Sequence, residues 1–72
     1  MELDEATDKI SLTDKEVAIL RLIAAGQSTN RIAHSMSLKP STVMWYRKRL
    51  HMKFKVHNLA ELLSKAIEQK IL

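Results

Sequence analysis

Residues 28–54 read STNRIAHSMSLKPSTVMWYRKRLHMKF. Ser28 is a natural N-cap, because its hydroxyl can accept from an otherwise unpaired amide of the first turn. Behind it Thr29, Ile32, Ala33 and Met36 recur at helical spacing and mark the buried side of a short helix over about 28–36. Ser37-Leu38-Lys39 reads as a turn. Pro40 then stands where a new helix would begin, a position that suits proline because its missing N–H has no partner to lose. No further breaker occurs before Phe54. A short helix, a turn of about three residues and a longer helix over about 40–54 make a helix-turn-helix.

The same signals continue on both sides. Upstream, Thr13-Asp14-Lys15-Glu16 has the form of a capping box. Val17, Leu20, Ile23 and Ala24 follow with a helical period, widened by Ile19 and Leu22. The sole glycine, Gly26, falls just past Ala25, where a helix C-terminus favours a left-handed residue. Downstream, Lys55-Val56-His57 is a connector, and Asn58-Leu59-Ala60-Glu61 repeats the capping-box pattern. No segment alternates as a strand would. The expectation is an all-α fold: a four-helix bundle with helices over about 13–25, 28–36, 40–54 and 58–69.

Seventy-two residues, 46% hydrophobic and with one glycine and one proline, suit one small folded domain. That domain is expected over residues 12–72. The first nine residues carry Glu2, Asp4, Glu5 and Asp8 against Lys9, so residues 1–11 read as an acidic flexible linker or terminus. This opening is not that of a secretory signal peptide, and no apolar run reaches the roughly 18–20 residues that span a bilayer. A soluble cytoplasmic domain is expected, with no membrane partner.

Charge is concentrated elsewhere. Lys39, Arg47, Lys48, Arg49, Lys53 and Lys55 are half of the twelve basic residues, and no acid lies among them. With a net charge of +4, a polyanionic partner becomes plausible; a solvated helix face is the plainer alternative. At about 100° per residue, Val43, Leu50 and Phe54 share the inner side of the third helix, with Arg47 along its edge. Ser41, Met44, Trp45, Lys48 and Met52 cluster on the other side, flanked by Arg49 and Lys53, while Tyr46 falls between the two. An outward Trp is costly unless something packs on it. An α-helix fits the major groove of B-DNA, where Lys48 can donate to guanine and Met44 or Trp45 can touch a thymine methyl. Basic and hydroxyl groups on the flanks would hold phosphates.

Leu12-Thr13-Asp14-Lys15-Glu16 and the run Ile19 to Ser28 resemble the opening of the LuxR/FixJ-type (GerE-type) helix-turn-helix domain. Ile32-Ala33, Thr42-Val43, Arg47, Leu50, Lys53-Phe54, Val56 and Asn58 continue the resemblance in register, from about Ser11 to Ile67. It implies the effector domain of a bacterial transcription regulator, such as a two-component response regulator. Such a domain commonly follows a receiver or other sensory domain, and contact with RNA polymerase would belong to the same role. By position, Met44, Trp45 and Lys48 would face bases. Ser28, Thr42, Tyr46 and Lys53 would lie near phosphates, with Arg49 beside them. The family's fourth helix often forms a two-fold dimer, which would place Leu59, Ala60, Ile67 and Ile71 at the contact. The departures are that Met44 stands for a usual lysine, Tyr46 for a common histidine, Lys39 for the serine that usually caps the third helix, Arg31 for an acid in the second helix, and Lys55 for an expected glycine. Base preference should therefore differ from that of relatives.

Other chemistries find little support. There is no cysteine, and His34, His51 and His57 lack the spacing of a zinc site. Ser28, Ser41 and Ser64 have no base nearby in the sequence, and there is no glycine-rich phosphate loop. Neither an enzyme nor a cofactor is expected. Two further readings stay open: a promoter-binding region of a bacterial sigma factor, and a protein-interaction module using Trp45 and Met44.

Overall fold

The computed structural model describes residues 10–72, so the expectation of an acidic linker over 1–11 lies almost wholly outside the described residues. Each helix forms where capping chemistry satisfies its free backbone groups. α1 spans Asp14–Ala24. The Thr13 hydroxyl accepts from the Glu16 amide (3.1 Å) and Glu16 Oε1 accepts from the Thr13 amide (2.9 Å), closing the capping box. The helix ends through Gly26, whose φ of +85° is open to glycine without a Cβ penalty. α2 spans Thr29–Met36, with Ser28 Oγ accepting from the Arg31 amide (3.2 Å). α3 spans Pro40–Phe54, with proline in its first turn and no side-chain cap from Lys39. α4 spans Leu59–Glu68.

The four expected segments match to within one residue at each end. One capping detail differs. Asn58 Oδ1 accepts from the Glu61 amide (2.9 Å), but Glu61 reaches back to the His57 amide (3.0 Å) instead of that of Asn58. Only half of the expected second capping box is made, because the carboxylate finds the preceding N–H of the connector.

The core takes Ile19, Leu20 and Ile23 from α1, Ile32 and Ala33 from α2, and Val43, Leu50 and Phe54 from α3; Val56 of the connector joins Leu62 and Ala66 of α4. Ala24, expected on the apolar face of α1, is exposed. Glu16 is buried on that face instead. The excess apolar surface of α4 divides in two. Leu62 and Ala66 are buried and Leu63 is half-buried, whereas Leu59, Ala60 and Ile67 face outward. Ile71 packs partly against the domain's own core.

α2 and α3 are joined by Ser37, Leu38 and Lys39, with Ser37 left-handed at φ 57°. α3 ends in the same way at Lys55, φ 56°. A left-handed backbone costs an L-residue about 1–2 kcal/mol, part of which glycine returns as lost chain entropy. Lys55→Gly should therefore stabilise the domain by about 0.5–1 kcal/mol, read as a higher urea midpoint. An unchanged or lower midpoint would mean that the Lys55 side chain offsets the strain.

Candidate nucleic-acid interface

α3 buries one side and presents the other. Val43, Leu50 and Phe54 are at most 1% exposed, while Met44, Trp45 and Met52 are 57%, 54% and 76% exposed. Ser41 and Lys48 share the open side, and Thr42, Tyr46 and Arg47 are half-buried along its borders. An apolar, lysine-bearing stripe is thus offered to solvent by a 15-residue helix whose opposite side is locked into the core. The indole itself is not loose. The Tyr46 ring meets it edge-on, with centroids 5.0 Å apart and planes at 80°. The Arg49 guanidinium lies over it, 5.3 Å from the ring centroid.

Arg49 is also held from the other end. Its Nε donates to Glu16 Oε2 at 2.8 Å, and Lys53 Nζ donates to Glu16 Oε1 at 2.8 Å and to the Ser11 carbonyl at 3.1 Å. Glu16 is 2% exposed, whereas the two cations reach water. Burial by itself would raise the Glu16 carboxyl. The hydrogen bonds from Lys53, the Thr13 amide and Arg49, with the charge of Lys53, outweigh burial and bring it down from 4.5 to about 2. Two cations around one carboxylate present a net single positive charge along this edge of α3.

Ser28 uses its hydroxyl oxygen as an acceptor for the α2 cap, which leaves its proton free to donate outward. Between the start of α2, α3 and the connector lies an open groove of about 490 Å³, lined by Thr29, Met44, Arg47, Lys48, His51, Met52, Val56 and His57. Within it His51 Nδ1 lies 2.8 Å from the Arg47 carbonyl, which requires the proton on Nδ1. Among the described residues, no three histidine or acidic side chains gather as a metal site would need.

Residues 10–66 match the family GerE, bacterial regulatory proteins of the luxR family. The chain belongs to that family. The LuxR-family domain is 39% identical over 57 residues to the response regulator UvrY of Escherichia coli K12, covering 79% of this chain and 26% of that protein. It is 36% identical over 58 residues to the transcriptional regulatory protein DesR of Bacillus subtilis 168, covering 81% of this chain and 29% of that one. The chain thus spans little more than a quarter of either relative's length. No solved structure matches it.

In this LuxR-family domain Met44, Trp45 and Lys48 share one open surface, with Arg49 and Lys53 along one edge and Thr42 and Tyr46 at its borders. Leu59, Ala60 and Ile67 stand on the exposed side of α4, next to a groove of about 590 Å³ that Ala60, Ser64 and Ile67 help to line. Sequence reasoning gave Glu16 one role, as a cap, and missed that it gathers the flanking cations. Trp45, Arg49 and Lys53 do form an i, i+4 row visible in the sequence. Nothing local indicated that its partner lies on α1.

Proposed function

We propose that this LuxR-family domain binds duplex DNA in a sequence-dependent way, as the effector domain of a bacterial transcription regulator working in the cytoplasm. α3 enters the major groove; Met44, Trp45 and Lys48 meet base edges, while Ser28, Thr42, Tyr46, Arg49 and Lys53 lie toward phosphates. The observation that carries this reading is the exposed Met44–Trp45–Lys48 surface on a helix whose other side is core. The limited share of each relative covered supports a regulator in which a further domain, such as a receiver, supplies the signal. The exposed side of α4 supplies a two-fold contact through Leu59, Ala60 and Ile67, with Ile71 at its rim, so that two domains meet two half-sites. RNA polymerase is a further partner in this role. The domain performs no catalysis and needs no cofactor.

Fluorescence anisotropy with a randomised duplex pool, and single-stranded DNA beside it, tests the reading and supplies the material for selecting a preferred site. Duplex binding that enriches a defined sequence supports it. Absence of duplex binding at low salt, or equal binding to single strands, overturns it. On the selected site Lys48→Ala should cost about 1–3 kcal/mol and relax preference at one position. On random duplex the same variant should lose only the salt-dependent share of a single charge. An equal loss on every duplex would remove Lys48 from base reading.

A further inference from the structure

Trp45 is unusual in being both half-exposed and restrained. An exposed indole that turned freely would lose side-chain freedom on meeting a base pair and could adapt to several of them. Here its face is covered by the Arg49 guanidinium, 5.3 Å from the ring centroid, and the Tyr46 ring stands almost perpendicular to it with centroids 5.0 Å apart. Arg49 would still swing if its stem were free, since it is almost half exposed. What fixes it is Glu16, 33 residues earlier and on a different helix, through the 2.8 Å bond to Nε. That carboxylate is immobilised in turn by the Thr13 cap and by Lys53. A continuous chain of contacts therefore runs from the start of α1 to the ring on the open side of α3.

We propose that Glu16 is a positioning residue for sequence reading: it anchors Arg49, and Arg49 holds the Trp45 indole in one orientation, which sets the base pairs that Trp45 accepts. The inference rests on the reading that α3 enters a major groove. It assigns Glu16 a role that its burial and cap would not need, and it makes Arg49 an aiming group as well as a cation beside the phosphates. An arginine suits this position because Nε can bond the carboxylate while the flat guanidinium covers a ring. Lysine has no such plane.

Trp45 is the sole tryptophan, so its emission reports the ring directly. Glu16→Gln and Arg49→Met should each raise acrylamide quenching of Trp45 and its fast depolarisation in the free domain, with far-UV circular dichroism unchanged. Lys53→Met removes one of the two groups that hold Glu16 but leaves the Thr13 cap and the bond to Arg49 in place, so its effect on the Trp45 signals should be smaller than that of either of those variants. On the selected duplex, Glu16→Gln and Arg49→Met should lose discrimination by about two- to fivefold, as expected for an exposed cation–π contact. The loss should fall at the same base pairs as for Trp45→Ala. Wild-type quenching in the folded variants overturns the proposal, as does a loss spread evenly over all base pairs. Where Glu16→Gln fails to fold, Arg49→Met carries the test, since its side chain is 46% exposed. If the wild type binds no duplex, the proposed function fails and the base-setting role fails with it. Altered quenching with unchanged base preference overturns the present inference alone.

Discussion

Raising monovalent salt from about 50 to about 200 mM should weaken duplex binding by roughly 250- to 1000-fold. Six basic residues lie between Lys39 and Lys55 inclusive. Glu16 holds two of these, so one carboxylate must be subtracted, leaving about five net charges at the DNA surface, Lys48 among them because its charge displaces counterions even where it faces a base. At about 0.9 counterions released per phosphate on B-DNA, log affinity should fall against log salt with a slope of roughly −4 to −5. Salt dependence distinguishes a DNA-binding face from a protein-binding one. A protein-interaction surface built on Trp45 and Met44 would respond to salt almost flatly, because burying apolar area releases few counterions. A slope shallower than about −2 would mean that the α3 cations are not at the phosphates, and a different face would have to carry DNA. Polymerase association without DNA would instead favour a sigma-like role.

The fold was legible because its punctuation is local. Thr13, Ser28, Gly26 and Pro40 act within three or four residues of themselves, so each could be interpreted without knowing the tertiary structure. The two sides of α3 were equally legible, since Val43, Leu50 and Phe54 against Met44, Trp45 and Met52 is a matter of helical phase alone. What escaped were features that depend on distance along the chain or on backbone strain. Glu16 looked like a cap and nothing more because Arg49 and Lys53 lie 33 and 37 residues away. Ser37 and Lys55 take left-handed conformations that neither residue type signals. Both helix ends close through a backbone bond across the left-handed residue, from the Leu38 amide to the Ala33 carbonyl (2.8 Å) and from the Val56 amide to the His51 carbonyl (3.0 Å), a closure usually marked by glycine. The α4 surplus was visible as a count of apolar residues, but its division between Leu62 and Ala66 inside and Leu59 and Ile67 outside needed the direction in which α4 crosses the core.

Glu16→Ala should destabilise the domain by about 2–3 kcal/mol at neutral pH and lower its Tm by roughly 10–20 °C. The losses have distinct sources. Half of the α1 capping box disappears, and with it a bond to the Thr13 amide. Two charge-assisted bonds from Arg49 and Lys53 also go. The cost stays below that of a fully buried pair because both cations can turn to water, so no charge is stranded. Against a total of about 4–10 kcal/mol for a domain of this size, the loss is large. Acid should reproduce it. A carboxyl held at about 2 in the folded chain and 4.5 when unfolded adds stability that is complete above the unfolded value. That stability fades as pH falls toward 2, to a total of up to about 3 kcal/mol. The difference between the wild type and the variant isolates the contribution of Glu16. Urea unfolding at a series of pH values should show a constant gap above pH 5, narrowing through the interval between 4.5 and 2. The ion-pair part of the gap should vanish at the lower end. A gap that stays constant across this interval would mean that Glu16 acts through packing and capping alone, and that its charge contributes nothing to holding α1 against α3.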